Sequence, residues 1–309
     1  MNGGKATMIE ANNLVKKFGG KSALNCATFQ IGEKSVFGLV GSNGAGKSTF
    51  LRTVAGIYKP DGGTVTVDGT EPFENSQVKG ITYFVSDFPY FPPHATLKKM
   101  ALRLAEIYPN WDWKRFAALN KVFPVGEKKR ISTMSKGMQR QAALICALST
   151  RPKYLLMDEV FDGLDPVMRL CLKRVILDDA SSGTTAVIAS HNLRELEDLC
   201  DHIGLLHNGS VVFDKALSEL SLGLCKAKAV FRSMPEKEAL APLKILHWET
   251  HGSLVDFVAR AGREVVLTRL NTMNPVFVEV LPLSLEEVFI YEMEERGYDV
   301  KNILSAEEK

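Results

Sequence analysis

Apolar and polar positions alternate in short runs through the first forty residues. "MIEANNLVKKF" (8–18) and "SALNCATFQI" (22–31) carry the two-residue period of half-buried strands, with turn signals at Gly19-Gly20 and Gly32-Glu33. "KSVFGLV" (34–40) is apolar almost throughout, as a strand buried on both faces requires. "KPDGGTVTVDG" reads as turn, strand, turn, and "GITYFVSD" as another short strand. The period then changes. Residues 95–123, "ATLKKMALRLAEIYPNWDWKRFAALNKVF", space their apolar positions as helices do, which predicts a helical insert over about 88–135. Strand signals return in "KYLLMDEV" and "TTAVIAS", separated by helical "VMRLCLKRVILDDA"; this βαβ alternation predicts a parallel sheet with helices on its faces.

From about residue 220 the texture shifts again. "KAKAVFRS", "KILHWETH", "SLVDFVARA" and "PVFVEVLP" predict strands, and "SLEEVFIYEMEERG" a closing helix. The expected organisation is one domain over 1–219 and a small α+β accessory domain over 220–309, with only the terminal "NILSAEEK" polar and frayed. The accessory region holds no phosphate loop, metal-ligand spacing or nucleophile–base pattern, so it is expected to regulate or to support a dimer.

Composition narrows the function classes. The 309 residues carry a net charge of +2, which argues against a dedicated nucleic-acid binder. No apolar run reaches the length of a membrane span, and the N-terminal segment lacks a signal peptide's apolar core. Five cysteines without a CxxC pair argue against a disulfide or zinc framework and for a reducing cytoplasm.

The candidate chemistry starts at "VFGLVGSNGAGKSTFL". Gly41, Ser42, Asn43, Gly44, Ala45, Gly46, Lys47 and Ser48 fit G-x-x-x-x-G-K-[ST] between a strand and a helix, with Thr49 following. Glycines there let backbone N–H groups turn inward onto a polyphosphate, and the following helix aims its free N–H groups at the same anion. Lys47 would reach the terminal phosphates and Ser48 would ligate Mg²⁺. At the end of "KYLLMDEV", Asp158 can hold the metal through water and Glu159 can orient or activate an attacking water. "TMSKGMQRQAAL" offers a second helix N-terminus suited to anions.

The order of the phosphate loop, the helical insert, Ser135-Lys136-Gly137-Met138-Gln139, Asp158-Glu159, Gly163-Leu164-Asp165-Pro166 and Ser190-His191 resembles the ATP-binding cassette (ABC) family over about residues 8–218. The resemblance implies a P-loop NTPase sheet with an antiparallel β subdomain and a helical insert. It implies ATP and Mg²⁺ as cofactors. It also implies that Ser135, Gly137 and Gln139 belong to the signature that caps an ATP held by the other subunit. Asp165 would communicate across the dimer, His191 would sense the γ-phosphate, and Phe18 would stack on adenine. Two positions depart from the family pattern. The signature carries Lys136 where two successive glycines are usual, a variant similar to that of bacterial exporters. Where the family places a metal-touching glutamine, this chain has Ser86 with Asp87 beside it, and either can serve.

The implied function is the ATPase subunit of a transporter, closing as a homodimer or heterodimer on ATP to power permease subunits carried on separate chains. The expected location is cytoplasmic, on the inner face of the cell membrane. "LPLSLEEVFIYEMEERG" resembles the closing segment of export-type cassettes. The alternative is a soluble, non-transport ABC ATPase acting on nucleic acid or protein, which would show a basic face.

Overall fold

The computed structural model describes residues 7–233, 240 and 243–295, and these separate into two compact units, Met1–Asp214 and Lys215–Lys309. The terminal "NILSAEEK" lies outside the described residues.

The first unit begins with β1 (Thr7–Phe18) and β2 (Lys21–Gly32), followed by β3 (Val36–Val40), α1 (Lys47–Val54) and β4 (Gly62–Val67). Then come α2 (Ser76–Ile81), β5 (Thr82–Val85), α3 (Leu97–Ile107), α4 (Trp113–Val122) and α5 (Lys136–Ser149). It continues with β6 (Tyr154–Asp158), α6 (Pro166–Ser181), β7 (Thr185–Ser190), α7 (Leu193–Leu196), β8 (His202–His207) and β9 (Ser210–Ala216). Strands β2-β1-β4 form an antiparallel sheet. A second sheet runs β5-β6-β7-β3-β8-β9, with β5, β6, β7, β3 and β8 mutually parallel. This is the mixed α/β arrangement expected from the βαβ alternation.

Burial follows the sequence pattern. Every residue of β3, β6 and β7 is buried, as strands covered on both faces require, whereas β2 alternates in its second half. Phe29, Phe37 and Phe50 meet edge to face where the antiparallel sheet, the parallel sheet and α1 share one core.

The second unit contains α8 (Leu217–Leu222), β10 (Cys225–Val230), β11 (Lys244–His251), β12 (Leu254–Arg260), α9 (Arg263–Asn271), β13 (Phe277–Pro282) and α10 (Leu285–Glu295). Its antiparallel sheet has the order β11-β12-β10-β13. Helix α9 was not predicted from the sequence: its adjacent Val265 and Val266 are β-branched and favour strands. Val266 and Leu270, four apart, pack into the unit's core and hold the segment helical.

Candidate functional site

Three adjacent parallel strands deliver the candidate residues to one place. Strands β6, β7 and β3 are neighbours, and Val40 pairs with Ser190 while Asp158 pairs with Ala189. The phosphate-loop sequence, Asp158-Glu159 and Ser190-His191 therefore leave the sheet at the same carboxyl edge, where open α/β sheets bind ligands.

The loop leads directly into α1. Gly46 has φ 110°, and a Cβ there would meet the Ala23 carbonyl oxygen at 2.5 Å, so the turn onto the helix requires glycine. A cleft of about 390 Å³ is lined by residues 42–49 together with Phe18, Lys21, Ser22, Ala23, Asp87 and Glu159. Phe18 is 45% exposed, with its ring edge-on to Tyr58 at 5.2 Å. It is a half-exposed rim residue, with Lys16 Nζ over its ring at 5.5 Å from the centroid. The wall formed by Lys21–Ala23 was missed in the sequence, because a strand start carries no chemical signature of its own.

Lys47 is buried and folds back over the loop. It donates to the carbonyl oxygens of Gly41 at 2.5 Å and Ser42 at 3.3 Å, and its Nζ lies 3.4 Å from Glu159 Oε1. The other Glu159 oxygen is 2.9 Å from His191 Nδ1 and also accepts from the His191 backbone N–H at 3.4 Å. Glu159 is thus held by one group at each oxygen. Its backbone has φ 46°, a left-handed conformation that costs a non-glycine residue free energy and is found where geometry is over-determined. Asp162, not singled out in the sequence, joins this group. One ligand-type atom from each of Glu159, Asp162 and His191 lies within 4.8 Å of the other two.

Asp158 behaves differently from its neighbour. It is fully buried, and neither carboxylate oxygen has a hydrogen-bond partner. Burial pushes its carboxyl up to about 6; the charges of Asp87 and Glu159 add to this, while the nearby Ser48 hydroxyl and Arg52 pull it back. An orphaned buried carboxylate beside a hydroxyl is a donor set of hard oxygens suited to a small cation.

The two alternatives at 86 and 87 separate. Asp87 lines the cleft, 3.6 Å from Arg52, while the Ser86 side chain lies outside the lining and donates its hydroxyl to Asp87 Oδ1 at 2.9 Å. The remaining candidates stand away from the cleft. Ser135 caps α5 through the Met138 N–H, Gln139 donates to the Met134 carbonyl at 3.0 Å, and Asp165 caps α6 through Val167 and Met168. A Cβ on Gly137 would sit 2.7 Å from the Gly163 carbonyl oxygen, so α5 enters against that turn only with glycine. The folded chain brings together residues 42–49, Phe18, Asp158, Glu159 and His191, and leaves Ser135, Gly137, Gln139 and Asp165 outside the cleft lining.

The family model described as "ABC transporter" matches residues 24–162. The chain is 30% identical over 285 residues to the ABC transporter ATP-binding protein YtrB of Bacillus subtilis, covering 92% of this chain and 97% of that protein. It is 29% identical to the Nod factor export ATP-binding protein I of Rhizobium etli, covering 92% of each. Among solved structures, an ATP-binding subunit of an ABC transporter superimposes with a TM-score of 0.65 at 24% identity, covering 69% of this chain and 92% of that one.

Proposed function

Because the chain belongs to the ATP-binding subunits of the ABC transporter family, which bind and hydrolyse ATP, we propose that it powers export through separate membrane-spanning subunits by closing as a dimer on ATP. The observation that carries this reading is the convergence of the phosphate loop, Asp158, Glu159 and His191 at the carboxyl edge of β3, β6 and β7.

Each residue has a part that follows from its surroundings. The backbone N–H groups of residues 41–49 and the N-terminus of α1 receive the polyphosphate. Lys47 leaves its carbonyl partners and Glu159 for the terminal phosphates, a stronger counter-charge. That exchange frees one Glu159 oxygen to orient the attacking water, while His191 keeps the other in place. The left-handed backbone at Glu159 fixes where the carboxylate points. Ser48 and Asp158 hold Mg²⁺, with Asp87 the acidic group next to them in the cleft; Ser86 acts only through its hydrogen bond to Asp87. When bound, Mg²⁺ supplies positive charge to the phosphate oxygens. Phe18 presents its exposed face to the adenine ring.

Ser135, Gly137, Gln139 and Asp165 stand outside their own chain's cleft, which supports their acting on the site of a second copy. Two identical copies related by a two-fold axis would then complete two equivalent sites, and a heterodimer with a related subunit would do the same. Among the described residues no helix is long and apolar enough to cross a membrane; membership of the ABC transporter ATP-binding subunits supports permease partners on other chains and a place at the membrane's inner face. Similarity to the Nod factor export ATP-binding protein supports the outward direction. The residues that line the cleft all belong to the first unit, and the second unit takes a regulatory or dimer-supporting part in this reading.

Glu159→Gln with ATP and Mg²⁺ tests the reading. Hydrolysis is expected to fall by roughly 10²–10⁴-fold, the range for losing a positioned base. ATP affinity is expected to survive, and the protein to elute as a dimer on size exclusion. A variant that stays monomeric with ATP and hydrolyses normally contradicts the proposal.

A further inference from the structure

The turn that carries His191 and the turn that carries Asp165 are joined inside one chain by a buried carboxylate. Glu195 on α7 is 7% exposed. Its Oε2 accepts from the Ser190 hydroxyl at 3.0 Å, and its Oε1 lies 3.2 Å from Nη1 of Arg169 on α6. Arg169 uses its Nε to donate to the Leu164 carbonyl at 3.0 Å. The Ser190 oxygen also accepts from the Asn192 N–H at 3.0 Å, closing the turn around His191. At the other end, Leu164 adjoins Asp165, whose carboxylate caps α6 at 3.0 Å. The connection therefore runs from the His191 turn through Ser190, Glu195, Arg169 and Leu164 to Asp165. Every link between separate segments in this run is 3.2 Å or shorter.

This arrangement has a cost that packing does not explain. Burial pushes the Glu195 carboxyl upward, and Ser190 and Arg169 only partly oppose it. Only the carboxylate end of the pair is buried; the Arg169 side chain is 39% exposed, so solvent screens the attraction and the pair adds little net stability. What it does supply is a fixed distance between two turns. Arginine suits this role because its planar fork reaches a carboxylate and a carbonyl at once.

We propose that Arg169 and Glu195 are positioning residues that transmit displacement of the His191 turn to the Gly163–Asp165 turn of the same chain, so that one ATP site of a dimer reports its state to the other. The inference rests on the two-copy reading above, in which the Asp165 turn serves the second copy's site. A shift of the His191 turn against a terminal phosphate pulls Ser190 and, through three short contacts, the Leu164 carbonyl. Without the pair the two turns move independently, and each site turns over without regard to its neighbour.

The test uses the full-length chain. Glu195→Gln keeps an acceptor for Ser190 and removes the charge that Arg169 meets. Arg169→Met removes both Arg169 contacts, and Arg169→Lys keeps the charge but cannot reach Leu164 and Glu195 together. Thermal melting, ATP affinity, and kcat and the Hill coefficient from ATP titrations are measured for each variant, and ATP-dependent dimerisation is followed in a Glu159→Gln background.

Melting, affinity and dimerisation are expected to stay near wild type. The expected losses are a several-fold fall in kcat and a Hill coefficient that drops from above one to one. The double variant Glu195→Gln/Arg169→Met is expected to be no worse than either single variant, as for residues acting in one path. An unchanged Hill coefficient, additive losses in the double variant, or a wild-type enzyme that dimerises with ATP yet shows no cooperativity each overturns the proposal. If all three single variants lose cooperative melting, the pair is structural and the proposal fails. Absence of ATP-dependent dimers in the Glu159→Gln background alone removes the two-copy reading itself, and this inference with it.

Discussion

The two units of this chain use sheets of opposite kinds, and the difference decides where chemistry can gather. In the first unit β6, β7 and β3 run parallel, so their carboxyl ends and the turns that follow share one edge. In the second unit β11, β12, β10 and β13 are antiparallel, so neighbouring strands end at opposite edges. The alternation in β10 sends Ala227 and Ala229 inward and leaves Lys226 half-buried, paired with Glu287 at 3.4 Å. Charge there is neutralised locally. In the first unit, by contrast, a carboxylate is buried at a strand end with no hydrogen-bond partner at either oxygen. One sheet distributes its charged groups along its strands, and the other gathers them at a single edge beside a cleft.

The sharpest way to break that contrast is at Lys47. Lys47→Ala is expected to abolish productive ATP binding, because Lys47 is the one charged residue in the loop sequence 41–49. Titration with a fluorescent nucleotide and a phosphate-release assay read both effects. Near-normal hydrolysis would remove the loop from the mechanism.

The buried carboxylate of Asp158 has a measurable cost. Its folded-state pKa of about 6 lies above its ordinary value, so the penalty is absent below about pH 4, grows as pH rises through 6 and is complete above that. Asp158→Asn is therefore expected to raise the stability of the nucleotide-free protein at pH 7–8, by roughly 3 kcal/mol at most for a shift of about two units. The gain should vanish near pH 4. Thermal melts across pH check this, and a variant that melts earlier than wild type at pH 8 would show that the carboxylate has a stabilising partner.

Phe18→Ala is a smaller perturbation. ATP affinity is expected to weaken by about 1–3 kcal/mol, the order found for base–aromatic stacking, while affinity for inorganic triphosphate stays the same. Equal losses with both ligands would make Phe18 a structural residue. The smallest effect on chemistry is expected from removing the second unit. A chain ending near residue 220, past β9, should bind ATP as the full chain does, while its ATP-dependent dimerisation changes. A truncated chain that binds, dimerises and supports transport at the full-length rate would leave that unit without a regulatory part.

Much of this was legible in the residues alone. The phosphate loop is contiguous, its glycines meet a local backbone demand, and the flanking strand and helix have clear periods. Ser190-His191 stood out only through the resemblance to the ABC family, whereas Asp158-Glu159 could be found because it ends an unbroken apolar run. Helix α9 could not, since its two valines favour a strand until a core exists to receive Val266. Nor could Asp162, Arg140 or Glu195, which are ordinary polar residues whose partners lie elsewhere in the chain. Arg140 donates to the carbonyl oxygens of both Asp162 and Asp87, joining two loops that no sequence pattern connects.

The sequence by itself determined most of the strands, though not β8 and β9, and where the glycine loop lies and which residue types wait at the strand ends, because these depend on local backbone preference and short-range hydrophobic period. Only the tertiary structure decided that Glu159 stands between Lys47 and His191, that Asp87 and not Ser86 faces the cleft, and that Glu195 links two turns. The reason is the strand order. Crossover connections place β6 and β3 on either side of β7, and side chains distant along the chain meet because that sheet aligns their carboxyl ends.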